Sequence, residues 1–282
     1  MLPVDGMVAL YNLLLAVVWG GLSAKVSFAP WLAVVHLAGA SLFLLLRRRP
    51  LLSAGTATLR ELYPLLWLVG FWFELDYLLP LLHPVFFDAF VVRWDVALFG
   101  ASWGTEWLLR WPSPWLSEPM FLLYMLWAPL MIVPPLALAL ARRREALRDL
   151  VLRLTLTYLV CCLVYLLVPV NGPKQLVPAG APLTHGIFYW LMGRYYVVDP
   201  SVGTALPSFH VAAVVTLAWL AWRWRGPRLG MVAWLVALGV SLSAVYTQYH
   251  YVLDALAGLV LAVALQAFTP ALQRRLSHGR PA

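Results

Sequence analysis

The stretch SLSAVYTQYH, residues 241–250, lies in the middle of a long apolar run that extends from residue 229 to residue 269. As a single α-helix that run would be about 60 Å long, roughly twice the thickness of the hydrocarbon layer of a bilayer. The polar side chains of residues 241–250 mark a natural turning point. We therefore predict that the chain turns here and crosses the membrane twice, at 229–247 and at 250–269.

The composition supports a membrane protein. The chain is 63% hydrophobic and only 11% charged, whereas a soluble domain carries about 25% charged residues. Because a bilayer requires roughly 20 mostly apolar residues per helix, the pattern predicts an all-α, polytopic membrane helix bundle. The eight predicted spans cover residues 7–24, 30–46, 62–82, 117–140, 150–169, 207–223, 229–247 and 250–269.

Residues 83–116, between the third and fourth spans, form a distinct region. They are too few to cross the membrane twice, and they mix five tryptophans with charged residues. This mixture is typical of helices that lie in the headgroup region. An aromatic belt at the membrane surface is the simpler interpretation, and contact with a substrate headgroup is the alternative.

The formal charge of +8 follows from membrane topology. If the N-terminus is cytoplasmic, 15 of the 20 basic residues fall in cytoplasmic segments, as the positive-inside rule predicts. The basic excess therefore does not indicate a nucleic-acid partner. We predict an integral protein of a bacterial-type plasma membrane, with both termini cytoplasmic and residues 241–250 near the extracytoplasmic face.

Two histidines lie at the outer edges of apolar spans, where ionisable groups are costly and usually functional. His250 and Asp254 are four residues apart and so share one helix face. The carboxylate there can accept a hydrogen bond from one ring nitrogen, which leaves the other as a nucleophile or base. His210 ends the segment ALPSFH (205–210), in which Ser208 has the properties of a helix N-cap at a helix start that favours an anion. Each motif alone could be a packing pair or an ordinary cap, but their coincidence on one membrane face favours a joint site.

Two basic residues on the same face are candidates to bind a phosphate. Lys174 follows the fifth span, and Arg194 lies twenty residues further on. Cations beside an anion-binding helix start suit a phosphate group, although either residue could instead meet lipid headgroups. No carboxylate cluster of the kind that binds Mg²⁺ accompanies these motifs, so neither a metal nor a cofactor is expected.

Three further polar residues fall within predicted spans. His36, in the second span, is expected to be packed or satisfied by the backbone. Glu74 and Asp76, in the third span, need partners at membrane depth. They could support the site or approach the outer interface, and the sequence does not choose between these positions.

These motifs resemble the type 2 phosphatidic acid phosphatase superfamily. Pro207-Ser208-Phe209-His210 is similar to that family's Pro-Ser-Gly-His motif, and His250 with Asp254 matches the end of its Ser-Arg-x5-His-x3-Asp motif. Gly172-Pro173-Lys174, together with Gln-x-His-Tyr at 248–251, looks like the inositol phosphorylceramide synthase-like branch. The resemblance is thus carried by several motifs in the order that the family shows.

The resemblance is incomplete at two positions. Phe209 stands where the family has glycine, and Ala244 stands where it has arginine. The motif-bearing part covers residues 160–269, with a looser likeness from near residue 62. The departures concern phosphate affinity and substrate identity more than the chemistry, because the two histidines and the aspartate are present.

The resemblance implies a catalytic core of six helices within residues 62–282, to which residues 1–61 add two transmembrane helices. It implies that His250 attacks a lipid phosphate and forms a phosphohistidine, and that Asp254 orients it. His210 would protonate the leaving oxygen and then activate water or an alcohol. The implied phosphate-binding residues are Lys174, Ser208, Phe209 and Arg194. The implied substrate is a membrane lipid that carries a phosphate ester at the extracytoplasmic face, with water or a hydroxyl lipid as the acceptor.

Two other functions are compatible with the sequence. The enzyme could be a simple phosphatase rather than a transferase. The protein could also be a non-enzymatic transporter or lipid-binding protein whose histidines handle protons. The second alternative is disfavoured because the chain shows neither an internal repeat nor paired spans broken by glycine or proline.

Overall fold

The computed structural model describes residues 3–46, 54–175, 186–198 and 202–278, and these form a bundle of α-helices. In chain order the helices are α1 (Pro3–Gly21), α2 (Ala29–Leu46), α3 (Ala54–Leu82), α4 (Asp88–Phe99), α5 (Trp103–Arg110), α6 (Pro114–Met125), α7 (Trp127–Leu140), α8 (Arg144–Leu167), α9 (Ile187–Val198), α10 (Phe209–Arg225), α11 (Pro227–Tyr246) and α12 (Val252–His278). The predicted all-α membrane bundle is thus confirmed.

Within the described residues, six helical segments are long and apolar enough to cross a membrane. They are Val4–Gly21, Ala57–Leu82, Pro114–Leu140, Arg144–Leu167, Pro227–Tyr246 and Val252–Ala271. The two remaining predicted spans coincide with the shorter helices α2 and α10. Two short helices, α4 and α5, occupy the region between the third and fourth spans, where the sequence predicts interfacial helices.

The chain turns where residues 241–250 predict it. Helix α11 ends at Tyr246 and α12 begins at Val252. Between them, Gln248 adopts a left-handed backbone conformation with φ of 65°, and the N–H groups of Tyr249 and His250 both donate to the carbonyl of Ala244 at 3.1 Å. These bonds close the end of α11 and reverse the chain direction.

Helix α10 lies in the core of the bundle, where it contacts α8, α11 and α12. Every residue from Phe209 to Thr216 is buried, as expected of a helix that is covered on all faces. Gly258 lets α12 approach α10 closely, because a Cβ at this position would lie 2.4 Å from the carbonyl oxygen of Ser208. The starts of α10 and α12 are therefore held together.

Ion pairs join the helices at the opposite end of the bundle. Arg60 pairs with Asp5 at 2.7 Å, and Arg144 and Arg148 pair with Glu61 at 3.3 and 2.7 Å. These residues lie near the N-terminal ends of α1, α3 and α8. Because α8 runs from this cluster towards the loop that leads to the start of α10, the cluster and the two histidines lie at opposite ends of the bundle.

Helices α1 and α2 pack together. Side chains of α1, among them Val8, Leu15 and Trp19, belong to the same hydrophobic core as side chains of α3 and α8. The two N-terminal helices are thus built into the bundle. The domain division at residue 61 stays a prediction.

Candidate active site

His210 and His250 lie side by side. Nδ1 of His210 is 3.0 Å from Nε2 of His250, across forty residues of sequence. Only 4% and 2% of the surface of these two residues is exposed. His210 is in the first turn of α10, and His250 immediately precedes α12. The close approach of these two helix starts therefore brings the histidines together.

The carbonyl oxygen of Ala205 determines where the protons lie on this pair. It is 3.1 Å from Nδ1 of His250, and since a carbonyl only accepts hydrogen bonds, that nitrogen carries a proton. In the neutral ring Nε2 then holds the free electron pair, and it accepts the N–H of Nδ1 of His210. Nε2 of His210 accepts in turn from the hydroxyl of Tyr124 at 3.3 Å. The candidate nucleophilic atom is thus Nε2 of His250.

Asp254 is fully buried beside His250. Its Oδ2 is 3.7 Å from Nδ1 of His250, which is beyond hydrogen-bond distance, and it accepts the N–H of Tyr251 at 2.9 Å. The hydrogen bond expected between the carboxylate and the ring is absent because the Ala205 carbonyl occupies that position. The carboxylate is still close enough to stabilise a positive charge on the ring.

Ser208 caps α10, as the sequence predicts. Its Oγ accepts the N–H of Val211 at 3.3 Å, and its own N–H donates to the carbonyl of Asp254 at 2.9 Å. Ser208 therefore joins the start of α10 to α12. The N–H groups of Phe209 and His210, in the first turn, lack intrahelical acceptors and can point towards an anion.

The two departures from the family motifs are accommodated by packing. The side chain of Phe209 packs into the core against Tyr158 of α8, with a ring-centroid distance of 4.9 Å. Only the backbone of Phe209 is therefore in a position to contact a phosphate. Ala244 is fully buried in a cluster that includes Tyr124 and Tyr249. It contributes packing and a backbone acceptor rather than a cation.

Aromatic side chains surround His210. The ring of Trp127 meets it edge-on, with a centroid distance of 4.6 Å, and those of Tyr124 and Trp72 lie at 5.2 and 6.3 Å. Tyr249 completes this wall at 6.4 Å. These apolar rings exclude water from one side of the histidine pair, which strengthens electrostatic interactions within the site.

Lys174 lies next to this aromatic wall. Its Nζ is 5.0 Å from the centroid of the Tyr249 ring, which is stacked on Tyr124 at 4.5 Å. Gly172 places the preceding loop against the same segment with a φ of +89°, and a Cβ there would lie 2.5 Å from the carbonyl oxygen of Tyr249. The Gly-Pro-Lys element is therefore packed against the residues that precede His250.

Asp88, which sequence reasoning did not identify, connects the Lys174 loop to the segment that contains His250. Its two carboxylate oxygens accept the N–H groups of Asn171 and Gly172, each at 3.0 Å. The hydroxyl of Tyr251 donates to the same carboxylate at 3.1 Å. Burial, and then the neighbouring charge of Asp88, raise the pKa of the Tyr251 hydroxyl, so this group remains a donor.

Asp95 supports the site from the next turns of α4. Its oxygens accept the N–H groups of Leu253 and Val252 at 2.9 and 3.2 Å, so Asp95 caps the helix that carries Asp254. Burial raises the pKa of the Asp95 carboxyl, whereas the two N–H donors act in the opposite direction. The sequence contained one usable signal, since Asp88 and Asp95 are seven residues apart and so share a helix face.

Helix α5 also contacts the turn that contains His250. A Cβ on Gly104 would lie 2.6 Å from the carbonyl oxygen of His250, and Nε2 of Gln248 donates to the carbonyl of Thr105 at 3.2 Å. Residues 83–116 therefore contact both the Lys174 loop and the segment that contains His250. Their location at the membrane surface stays a prediction.

Arg194 and Asp76 occupy different positions relative to the site: Arg194 points away from it, whereas Asp76 supports it. Arg194 lies on the exposed side of α9, with its guanidinium 5.5 Å from the ring centroid of Trp190. Among the residues that the structure describes, it does not contact the histidines. Asp76 accepts the N–H of Val202 at 2.7 Å. It thereby helps to position residues 202–205, which include the Ala205 carbonyl that His250 contacts.

Comparisons with known proteins agree with this geometry. Residues 89–268, more than half of the chain, match the family model of the PAP2 superfamily, and this range contains both histidines, Asp254, Lys174 and the two helix starts. Neither the curated proteins nor the solved structures provide a match. On the strength of the family model, the chain belongs to the PAP2 superfamily.

Proposed function

We propose that the protein is an integral membrane lipid phosphatase or phosphotransferase that acts on a lipid phosphate ester through a phosphohistidine. The observation that best supports this function is the 3.0 Å contact between Nδ1 of His210 and Nε2 of His250, with the other nitrogen of His250 bound to a carbonyl. The pair provides one nucleophilic nitrogen beside one proton-donating nitrogen. A two-step displacement at phosphorus needs both.

Substrate binding would open the histidine pair. The phosphate group enters between the two rings and replaces their direct hydrogen bond. Lys174 and the N–H groups at the start of α10 neutralise charge on the phosphate oxygens. With this negative charge beside it, His210 takes up a second proton from solvent and becomes an imidazolium.

In the first step Nε2 of His250 attacks phosphorus, and the bond between phosphorus and the lipid oxygen breaks. His210 donates its Nδ1 proton to that oxygen, so the lipid leaves as an alcohol. The phosphorylated ring of His250 carries a positive charge, which the buried carboxylate of Asp254 stabilises from 3.7 Å. The Ala205 carbonyl keeps the ring in place through the Nδ1 hydrogen bond.

In the second step the neutral His210 accepts a proton from water or from a hydroxyl lipid. The resulting oxygen nucleophile attacks phosphorus, the bond to Nε2 breaks, and free phosphate or a new phosphate ester leaves. The finer resemblance to the inositol phosphorylceramide synthase-like branch predicts transfer to a hydroxyl lipid. In that branch the group carried on histidine would be a phosphoryl group esterified to an alcohol.

Trapping the covalent intermediate tests the mechanism. Purified protein incubated with a lipid carrying a radiolabelled phosphate and then denatured in alkali should retain acid-labile label on His250. His250→Ala should carry no label and show no turnover. His210→Ala should lose at least about a hundredfold in turnover, since general acid–base catalysis contributes that much or more.

Folding controls accompany this test. Both variants should elute as the wild type does in size-exclusion chromatography in detergent, because neither substitution enlarges a buried side chain. Full turnover in either folded variant would contradict the mechanism. A non-enzymatic transporter would show no labelled histidine at all.

A second assay separates hydrolysis from transfer. The purified enzyme is given labelled lipid phosphate with and without candidate hydroxyl lipids. Release of free phosphate alone identifies a phosphatase, whereas label in a new lipid identifies a phosphotransferase.

A further inference from the structure

A second polar cluster lies where α1, α2 and α3 meet, outside the part of the chain that the family model matches. Nε2 of His36 is 2.7 Å from Oε1 of Glu74, and Nδ1 of His36 is 2.9 Å from Oδ1 of Asn12. The indole N–H of Trp19 donates to the same oxygen of Glu74 at 2.5 Å. Ionisable groups at membrane depth are costly and usually functional, and the proposed mechanism uses none of these residues.

The hydrogen bonds determine how many protons the cluster holds. Nδ2 of Asn12 donates to the carbonyl of Val8 at 2.8 Å, which orients the amide so that its Oδ1 faces His36. Since that oxygen only accepts, Nδ1 of His36 is protonated. The contact between His36 and Glu74 then requires one further proton, on either the nitrogen or the oxygen. His36 and Glu74 together are therefore electrically neutral and share one exchangeable proton.

A cavity of about 550 Å³ adjoins this pair. This volume is in the range of pockets that bind small ligands. Glu74 and His36 contribute to its lining, together with six aromatic residues that include Trp19, Trp67 and Tyr77. Neither lysine nor arginine is among its described lining residues. Val35 and Leu66, which also line it, are more than half exposed, so the cavity opens on the outer surface of the helices.

We propose that this cavity binds the primary ammonium group of a long-chain amine, with the apolar tail leaving past Val35 and Leu66. The ammonium donates one hydrogen bond to the Glu74 carboxylate and one to Nε2 of His36, and the shared proton leaves to solvent. Aromatic faces attract a cation. One positive charge enters as another leaves, so the site stays neutral.

This chemistry distinguishes the amine from other amphiphiles. An alcohol has one O–H to donate and no charge, so it cannot take the place of the shared proton and bond both Glu74 and His36. A quaternary ammonium has no N–H to donate to His36. An aminophospholipid would bring its phosphate to a carboxylate in a cavity whose described lining lacks a basic residue to pair with it, so we infer a free amine rather than a phospholipid headgroup.

Other titratable groups near the pair have to be considered when proton release is measured. Tyr11 on α1 and Cys162 on α8 both interact electrostatically with Glu74. Both are buried residues that are not among those lining the cavity. Proton release that is lost on substituting Glu74 therefore reports on the His36–Glu74 pair.

Calorimetry on the full chain in phosphatidylcholine nanodiscs tests the proposal, with empty nanodiscs as the baseline. The probe is dodecylamine. Wild type should bind it saturably and release about one proton, seen by titrating in two buffers of different ionisation enthalpy. Glu74→Gln should bind at least about tenfold more weakly, because it loses a hydrogen bond to a charged group, and should release no proton.

Glu106→Gln is the matched control, since Glu106 is a carboxylate outside the cavity that pairs with Arg110 in a partly exposed i,i+4 bridge. It should bind dodecylamine as wild type does. Dodecanol and dodecyltrimethylammonium should each bind at least about tenfold more weakly than dodecylamine. Equal binding of either compound, wild-type affinity in Glu74→Gln, or competition by phosphatidylethanolamine would overturn the proposal.

A second variant keeps the test valid if Glu74→Gln does not fold. Gly70 lines the cavity, and a Cβ built on it meets no atom within 4 Å. Gly70→Leu should therefore fill the cavity while leaving the polar cluster intact, and should abolish dodecylamine binding. Unchanged binding in a folded Gly70→Leu variant would also overturn the proposal.

Discussion

In the proposed mechanism, two single residues support His250 in different ways. The carbonyl of Ala205 accepts the Nδ1 proton of His250 at 3.1 Å and so sets the tautomer. The carboxylate of Asp254, at 3.7 Å, supplies charge without a hydrogen bond. Two opposite unit charges about 4 Å apart interact by about 4 kcal/mol at an effective dielectric constant of about 20. Asp254 therefore matters most when the ring becomes positive.

This division predicts the behaviour of Asp254→Asn. The amide keeps an oxygen for the N–H of Tyr251, but the negative charge is lost. We expect kcat to fall about a hundredfold or more, since each 1.36 kcal/mol is about tenfold in rate. The melting temperature should be equal to or above that of wild type, because a buried charge has been removed. Phosphate release and thermal melting of the purified variant in detergent measure both effects.

A different outcome would reassign the roles of these residues. Wild-type kcat in a folded Asp254→Asn variant would mean that the Ala205 carbonyl alone prepares His250. A fall in melting temperature together with kcat would mean that Asp254 acts mainly through its bond to Tyr251.

At the scale of the helices, the site depends on close contacts between elements far apart in sequence. Helix α4 caps α12 through Asp95 and holds the Lys174 loop through Asp88. Helices α10 and α12 meet where Gly258 faces the carbonyl of Ser208. The distance between the two histidines is therefore controlled by helix packing and not by either histidine.

The contact at Gly258 predicts a loss of both stability and activity in Gly258→Ala. The added Cβ would lie 2.4 Å from the Ser208 oxygen, and a backbone atom cannot move aside cheaply. We expect the variant to lose about 1–3 kcal/mol of stability, as overpacked interiors do, and to lose kcat because α10 carries His210. Thermal melting and phosphate release in detergent measure the two effects.

Gly193→Ala is the matched control, because a Cβ at Gly193 meets no atom within 4 Å. It should be neutral or stabilised by up to about 1 kcal/mol, the difference in helix propensity between the two residues. A Gly258→Ala variant that melts and turns over like this control would show that α10 and α12 adjust without cost.

At the scale of the whole molecule, the histidines lie at the opposite end of the bundle from the cluster of ion pairs that Asp5 and Glu61 form with arginines. By the positive-inside rule we predict that the cluster is cytoplasmic and that the histidines lie at the outer face. A short-chain lipid phosphate that cannot cross membranes should therefore be processed by intact cells expressing the protein. Sealed inside-out vesicles should process it only after detergent permeabilisation. Equal rates in sealed and permeabilised inside-out vesicles would reverse the topology.

Much of this architecture could be predicted because its signals are local. Apolar runs long enough to span a bilayer located the helices, and the polar stretch 241–250 located a turn. The spacing of His250 and Asp254 indicated that the two side chains lie close together, although His250 precedes α12 and does not share a helix face with Asp254. Ser208 had the residue type of an N-cap. Each of these inferences depends on residues that are neighbours in the sequence or on helix periodicity.

The remaining features depend on contacts that no local pattern records. Asp88 and Asp95 contact residues 83 and 158 positions away, so the sequence around them does not indicate their roles. Arg194 has the charge of a phosphate ligand, but α9 turns it towards Trp190. The predicted bond between Asp254 and His250 was displaced by a backbone carbonyl, and backbone acceptors are identical at every position of a sequence.

The contact between His210 and His250 bears on which ester groups of membrane lipids could react in the proposed site. Nε2 of His250 accepts the N–H of Nδ1 of His210, and in the proposed mechanism a phosphate has to replace this hydrogen bond before Nε2 can attack. In the proposed mechanism, a phosphate ester brings charged oxygens to His210 and Lys174, which compensates for the broken hydrogen bond. The neutral ester linkages of acyl lipids bring no such charge. Under the proposed mechanism, the hydrogen bond between the two histidines therefore favours charged phosphate esters over the neutral acyl esters that membrane lipids also carry.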